Sequence, residues 1–140
     1  MPSGGCLCGG LRYEYVDEGS KKIICHCRDC HKMTGSAFGT NIIIPASSFT
    51  LHGNPKHYSF KRGAGGAATH TTSFCANCGT TVSKNVSGFE KFEGMVLVKA
   101  GTLDEGQGFD EMEFDAEAQT KTRVTWLKSI ADVPQFEGMP

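Results

Sequence analysis

A chain of 140 residues is long enough for one domain with a modest hydrophobic core, and it leaves little room for a second. The formal net charge of −1, from 14 basic and 15 acidic residues, does not favour bulk binding to nucleic acid or to a membrane surface. Hydrophobic residues make up 39% of the sequence, so the fold would benefit from a stabilising element besides its core.

The sequence contains no apolar run long enough to cross a bilayer. Residues 1–5 lack the basic region and apolar stretch with which a secretory signal peptide begins. We therefore predict a cytoplasmic protein without membrane contact. Disulfides are rare in such a reducing compartment, so the seven cysteines indicate metal binding or catalysis.

Eighteen glycines and few segments of helical period predict short strands joined by tight turns. Apolar Leu11, Tyr13 and Tyr15 alternate with polar residues, which is the period of a half-buried strand over 10–16. One helical turn is predicted over 28–33. The further predicted strands are 37–44, 49–52, 57–61, 69–74, 80–84 and 95–100. The pattern as a whole predicts an all-β fold with eight or more short strands.

The last third of the chain is less regular. The acidic segment 110–117 is expected to be a solvated loop. Residues 123–130 could form a short helix or a final strand, and Trp126 within them is predicted to lie in the core.

The seven cysteines fall into three closely spaced groups. In chain order these are Cys6 and Cys8; Cys25, Cys27 and Cys30; and Cys75 and Cys78. Zinc prefers four ligands at the corners of a tetrahedron. The first and third groups together supply two close pairs, hence four thiolates, and would tie the N-terminal strand to the middle of the chain. Metal binding at such a site contributes directly to the free energy of folding.

The middle group supplies three thiolates and no fourth cysteine. Three protein ligands and one open position are typical of catalytic zinc. One zinc with three thiolates carries a net charge of about −1, which suits an external thiol better than the activation of water. Two alternatives stay open at this point. His26 or His31 could close the coordination shell and make the site structural, or Cys27 and Cys30 could form a thiol–disulfide pair.

Four segments carry a resemblance to a known family. They are GCLCG at 5–9, CHCRDCHKMTGSAF at 25–38, FCANCGT at 74–80 and AGTLD at 100–104. In this order they resemble the glutathione-dependent formaldehyde-activating enzyme family, which also includes centromere protein V. The resemblance is strongest over 4–104, and we expect a single domain of this type over 1–140.

The resemblance implies a fold and a set of metal ligands. The fold would be a zinc-stapled, all-β β-tent of short antiparallel strands. Two Zn²⁺ ions per chain are implied, one structural and one catalytic. The implied ligands are Cys6, Cys8, Cys75 and Cys78 for the structural ion, and Cys25, Cys27 and Cys30 for the catalytic ion.

The resemblance also implies an activity. The family's named reaction joins formaldehyde to the thiol of glutathione, and it is classed as carbon–sulfur lyase chemistry, that of an S-(hydroxymethyl)glutathione synthase. We therefore expect a zinc-dependent enzyme that joins or releases a small-molecule thiol, such as glutathione, and a small electrophile, such as formaldehyde. Because glutathione carries two carboxylates, Lys61 and Arg62 are candidates for binding it.

Two other classes of function remain in view. In one, both zinc ions only brace the fold, and a surface loop binds a macromolecule. In the other, the chain is a thiol oxidoreductase that uses Cys27 and Cys30.

Overall fold

A computed structural model describes the whole chain, Met1–Pro140, and it confirms the predicted all-β class. One helix, α1 (Arg28–Thr34), accompanies ten strands. The strands are β1 (Ser3–Gly5), β2 (Arg12–Tyr15), β3 (Lys21–Cys25), β4 (Gly39–Pro45), β5 (Phe49–His52), β6 (Pro55–Arg62), β7 (Ala68–Cys75), β8 (Thr81–Ser87), β9 (Met95–Lys99) and β10 (Ala116–Ala118). None of the helical segments is long and apolar enough to cross a membrane.

The strands form two sheets. A three-stranded sheet has the order β1-β2-β5, and a seven-stranded sheet has the order β10-β3-β4-β9-β8-β7-β6. Every pair is antiparallel except β10 with β3, which is parallel. The expectation of antiparallel strands therefore needs one correction. Parallel neighbours cannot be joined by a tight turn, and β3 and β10 are separated along the chain by residues 26–115.

The central strands of the seven-stranded sheet, β4 and β9, are buried on both faces, whereas the edge strand β6 is exposed. Successive side chains point to opposite faces of a strand, so Ile42 and Ile44 of β4 lie on one face and Ile43 on the other. Ile42 and Ile44 pack with Tyr13 of the three-stranded sheet in the larger core. Ile43 belongs to a second cluster that includes Phe92. This second face also carries the candidate site.

Helix α1 is fixed at both ends by capping contacts. Cys27 is its N-cap residue and accepts a hydrogen bond from the Cys30 backbone N–H, with an N to Sγ distance of 3.2 Å. At the other end Gly35 adopts a left-handed conformation, φ 64°, and donates its N–H to the carbonyl of His31 at 2.8 Å. The helix packs closely against β4. A Cβ atom added to Gly39 of that strand would lie only 3.3 Å from Cys30 Cβ. The helix predicted over 28–33 is thus confirmed.

The region after β9 differs from the predictions. Residues 123–130 form neither a helix nor a strand, and the Trp126 side chain is 76% exposed rather than in the core. Glu117, expected in a solvated loop, is fully buried at the centre of β10. Both predictions were wrong because they relied on local composition, whereas long-range contacts determine the structure of this segment.

The buried carboxylate of Glu117 is the hub of a polar network. Its oxygens accept hydrogen bonds from the side chains of His26, Gln135 and Arg123 and from the backbone N–H groups of Ile130 and Ala131. Burial raises the pKa of Glu117, but these hydrogen bonds, led by that of Ala131, outweigh it and lower the pKa to about 2. The network joins the irregular C-terminal segment to the residue between Cys25 and Cys27.

We predict that Glu117→Ala lowers the free energy of unfolding by about 3 kcal/mol, because it leaves several buried donors without an acceptor. Glu117→Gln, which keeps the shape and one acceptor oxygen, should cost less. Urea unfolding followed by circular dichroism measures both. Glu113 is exposed, so Glu113→Ala is a matched control and should change stability by less than about 0.5 kcal/mol. Equal stability of the Glu117→Ala and Glu113→Ala variants would contradict a structural role for the network.

Candidate metal centre

Four cysteines meet where the two sheets join. The sulfur atoms of Cys6, Cys8, Cys75 and Cys78 lie within 4.8 Å of one another. Cys8 Sγ is 3.6 Å from both Cys6 Sγ and Cys75 Sγ. A tetrahedral zinc with sulfurs at ~2.3 Å requires an S–S separation of about 3.8 Å. These four thiols are therefore already placed at nearly the spacing that zinc needs.

Hydrogen bonds favour the ionised form of one cysteine in each close pair. The Leu11 N–H donates to Cys6 Sγ at 3.2 Å and lowers the pKa of Cys6. The Thr80 hydroxyl lies 3.3 Å from Cys78 Sγ, and its hydrogen bond is the main cause that lowers the pKa of Cys78 to about 5. Thiolates are the form in which cysteine binds a metal. Each close pair is thus held ready for a cation.

The second cluster consists of three cysteines. The sulfurs of Cys25, Cys27 and Cys30 lie within 4.8 Å of one another. Cys25 ends β3, Cys27 caps α1, and Cys30 lies in the first turn of that helix. Cys27 Sγ and Cys30 Sγ are 3.0 Å apart, about 0.8 Å closer than two ligands of a tetrahedral zinc. This cluster is more contracted than the first and would widen to take an ion.

Hydrogen bonding distributes charge unevenly among the three thiols. Hydrogen bonds with Cys25 and Cys30 lower the pKa of Cys27 well below its usual value. The same contacts, together with burial, raise the pKa of Cys25. Among the three thiols, ionisation is therefore most favourable at Cys27, which is also the most exposed of these residues.

No histidine joins this cluster of ligand atoms. The ring of His26 lies on the other side of the chain, where its Nε2 is 2.7 Å from a Glu117 carboxylate oxygen. The backbone of His26 is also fixed, since its N–H donates to Ala118 and its carbonyl accepts from the Thr122 hydroxyl. Cys25 and Cys27 are thereby positioned by contacts to β10 and the segment after it.

The three cysteines line a cavity of about 540 Å³. Its other polar lining residues are Asp29, Asn41, Arg62, His70, Lys84, Gln119 and Lys121. Lys84 is only 5% exposed, and its ammonium group makes no hydrogen bond or ion pair with the protein. The Nζ atom is not sealed off inside the protein, so the ammonium opens on the cavity, where an anion or a thiolate can pair with it.

A second buried lysine lies behind the cluster. Lys99 is 8% exposed and donates to the Asn41 side-chain oxygen at 2.8 Å. Burial lowers the pKa of Lys99 to about 8, and the neighbouring charge of Lys84 adds to this effect. Two cations beside three thiols would offset the net negative charge of a divalent metal bound by three thiolates.

The structure separates the two residues predicted to bind glutathione. Arg62 lines the cavity and forms a two-pronged ion pair with Asp29, with both N to O distances at 2.9 Å. Lys61 lies on the opposite face of β6 and contacts the Thr69 hydroxyl at 3.4 Å, away from the cavity lining. For both residues the role in binding stays a prediction.

His70 is a cavity residue that the sequence did not reveal. Its ring stacks on Phe60 with centroids 5.1 Å apart, and its Nδ1 atom is buried without a partner. Burial lowers the pKa of His70 to about 4, with a further contribution from Lys84, so the ring is neutral at pH 7. His70 lies within the polar run 69–73 and Lys84 within the polar run 83–85, and such polar runs usually indicate exposure to solvent.

Comparisons with known proteins agree with this arrangement. The model of the family described as "Glutathione-dependent formaldehyde-activating enzyme" matches residues 1–122. A search of curated proteins found no match. Among solved structures, the crystal structure of a Rhodobacter sphaeroides protein matches with a TM-score of 0.57 and 19% identity, covering 80% of this chain and 96% of that one. At this identity the likeness concerns the fold alone.

We predict that protein purified under reducing conditions holds two zinc ions per chain and that each cluster loses its ion separately. Cys78→Ser should leave one zinc and lower the free energy of unfolding by at least about 3 kcal/mol, because the first cluster joins both sheets. Cys27→Ser should also leave one zinc, but with a much smaller loss of stability. Native mass spectrometry and urea unfolding measure these two effects.

The exposed Ser36 lies close to α1, and Ser36→Ala is the control that should keep both ions. Retention of two ions by Cys78→Ser, or loss of both by Cys27→Ser, would contradict the assignment of two independent sites.

Proposed function

This chain belongs to the glutathione-dependent formaldehyde-activating enzyme family, and from that premise we propose that it is a zinc-dependent carbon–sulfur lyase acting on a thiol and an aldehyde. The observation that supports this most strongly is the cluster of Cys25, Cys27 and Cys30, which lacks a fourth ligand and opens on a cavity. The same arrangement of three ligands and one free position is used by catalytic zinc sites.

The donor set of the cluster fits zinc, since all three ligands are thiols on one short segment. Cys25, Cys27 and Cys30 would hold the ion. When bound, the ion supplies a stabilised thiolate by lowering the pKa of an incoming thiol. We further propose that the four-cysteine cluster holds a structural zinc within one domain spanning 1–140.

The reaction is an addition without oxidation or reduction. The sulfur of the thiol bonds to the carbonyl carbon, and the π electron pair of the C=O bond moves to the oxygen. That oxygen takes up the proton that the thiol has lost. The unpartnered ammonium of Lys84 stabilises the negative charge that develops on the oxygen. With its pKa lowered to about 4, the ring of His70 is too weak a base to hold the thiol proton, so water in the cavity takes up this proton and returns it to the oxygen.

Glutathione is the thiol that the family description suggests, and the rim of the cavity offers partners for it. Arg62 and Lys121 line the cavity and can pair with its carboxylates, with Lys61 on the outer face of the same strand as Arg62. Arg62 would exchange its ion pair with Asp29 for one with the ligand. Free cysteines and glutathione coexist in reducing compartments, so we propose the cytoplasm as the location.

We predict that Cys27→Ala lowers the enzyme-catalysed rate of S-(hydroxymethyl)glutathione formation at least about 100-fold, because the cluster loses its central thiolate. Exchange NMR measures this rate against the uncatalysed reaction of the same reagents. Circular dichroism should show that the variant keeps its fold. Undiminished catalysis by a folded Cys27→Ala protein would contradict the proposal.

A second variant tests the role of the buried ammonium. Lys84→Met should lower kcat by about 10- to 100-fold with a smaller change in KM, because charge develops on the oxygen only in the transition state. Lys84→Arg, which keeps the charge, should retain more activity than Lys84→Met. An effect on KM alone would assign Lys84 to substrate binding instead.

One observation favours a second candidate function, that of a thiol oxidoreductase. Cys27 and Cys30 have sulfurs 3.0 Å apart at the start of a helix, and the pKa of Cys27 is lowered, as in redox-active pairs. This function requires a reversible Cys27–Cys30 disulfide and a second cluster free of metal. Zinc content and disulfide mapping on the same purified protein therefore distinguish the two candidates.

A further inference from the structure

The cavity is far larger than formaldehyde requires. Formaldehyde has two heavy atoms and occupies roughly 60 Å³, at about 30 Å³ per heavy atom as in liquid water. The cavity beside the cysteines measures about 540 Å³. Most of its volume is therefore available to other parts of the reactants.

One side of the cavity is a continuous apolar wall. Seven apolar residues line the cavity and pack together in one cluster, which we call the wall. They are Ile23, Ile43, Ala68, Phe89, Phe92, Leu97 and Met139. Phe89 and Phe92 meet edge to face with centroids 5.1 Å apart. Four members of the wall, Ile23, Ile43, Phe92 and Met139, also line an adjoining cavity of about 390 Å³.

The wall begins next to the thiols. Ile23 and Cys25 lie two residues apart on β3, so they point to the same face of the sheet. Ile43 and Asn41 have the same relation on β4, and Ile43 faces Leu97 on β9. A molecule whose reactive carbon lies at the cysteines can therefore rest its remainder on the wall.

Glutathione is a poor occupant for this wall. It is a tripeptide with two carboxylates, an ammonium group and amides, and each polar group placed against hydrocarbon without a partner is costly. The residues that can pair with such groups, among them Asp29, Arg62, Gln119 and Lys121, form the polar part of the lining. The apolar part is left for the other reactant.

On the basis of the proposed function, we infer that the preferred electrophile is an aldehyde with an apolar chain or ring, not formaldehyde. If this group fills roughly half of the cavity at ~30 Å³ per heavy atom, it contains on the order of six to nine carbons. The aldehyde carbon bonds to the thiol sulfur, the thiol proton goes to the oxygen, and the hydrocarbon group lies on the wall. The product is a hemithioacetal.

An aldehyde series tests this inference on the zinc-loaded enzyme with glutathione. Propanal and hexanal have similar carbonyl reactivity and differ by three methylene groups, each of which raises binding about fourfold when buried. We expect kcat/KM for hexanal to exceed that for propanal by about 10-fold or more. Glyceraldehyde, a polar three-carbon aldehyde, should be a poorer substrate than propanal.

A cavity-filling variant tests where the hydrocarbon chain of the aldehyde binds. Ala68→Leu should lower the ratio of hexanal to propanal kcat/KM at least fivefold, because the added side chain projects into the cavity. Ala46→Leu is the matched control, since Ala46 is exposed in the turn after β4, and it should leave the ratio unchanged. If Ala68→Leu fails to fold, a binding measurement on the wild-type protein replaces it.

That measurement is a titration with 1-hexanol followed by methyl NMR, which requires neither the metal nor turnover. We expect shifts of the Ile23, Ile43 and Leu97 methyl resonances and none for the exposed Ile130. Absence of these shifts would overturn the inference about the electrophile but not the proposed function. The same holds if formaldehyde is turned over and kcat/KM is equal for propanal and hexanal. Lack of catalysis with every aldehyde, including formaldehyde, would instead contradict the proposed function.

Discussion

Four thiols held within 4.8 Å of one another are the constraint on which the arrangement of the two sheets depends. Cys6 and Cys8 lie in the loop between β1 and β2, and Cys75 and Cys78 lie at the turn between β7 and β8, with Cys75 67 positions after Cys8. Thiolates this close repel one another unless a cation lies between them, so the strength of this joint would depend on a bound ion. A chain with 39% hydrophobic residues benefits from such a joint, because its core is modest and its strands are short.

In the second cluster the charge of the thiolates is balanced differently, by nearby lysine side chains. Three thiols share the region with two buried lysines, and one of these, Lys84, has no partner in the protein. The segment that carries the cysteines is fixed from behind by the contact of His26 with Glu117, so the thiols face the cavity and the histidine faces the interior. Structural and reactive roles are thus divided between adjacent residues. Glu117 supports the site by position, since it touches neither the sulfurs nor the cavity lining.

Much of this could be predicted from the sequence because the signals are local. Cysteine spacing identified both clusters, and the alternation of apolar and polar residues located the strand over 10–16. Turn residues marked the ends of the neighbouring strands. Strand β10 was missed because three residues carry no period, and its place beside β3 depends on a connection of many residues. Glu117, Lys84 and His70 were missed for a related reason. A charged or polar residue in a short strand predicts exposure, and only the tertiary structure shows that the central strands of this sheet are covered on both faces.

Because the central strands are covered on both faces, one sheet can contact a thiol and a hydrocarbon in the same cavity. Along β3 and β4, polar and apolar residues two positions apart point into the same cavity, as Cys25 follows Ile23 and Ile43 follows Asn41. In the proposed reaction, the electrostatic part of the site would stabilise charge on sulfur and oxygen, and it would act on any aldehyde. The apolar part contributes only when a reactant has hydrocarbon to bury. Selection among aldehydes therefore falls to side chains that take no part in the chemistry, and the family to which the chain belongs fixes the reaction more closely than the substrate.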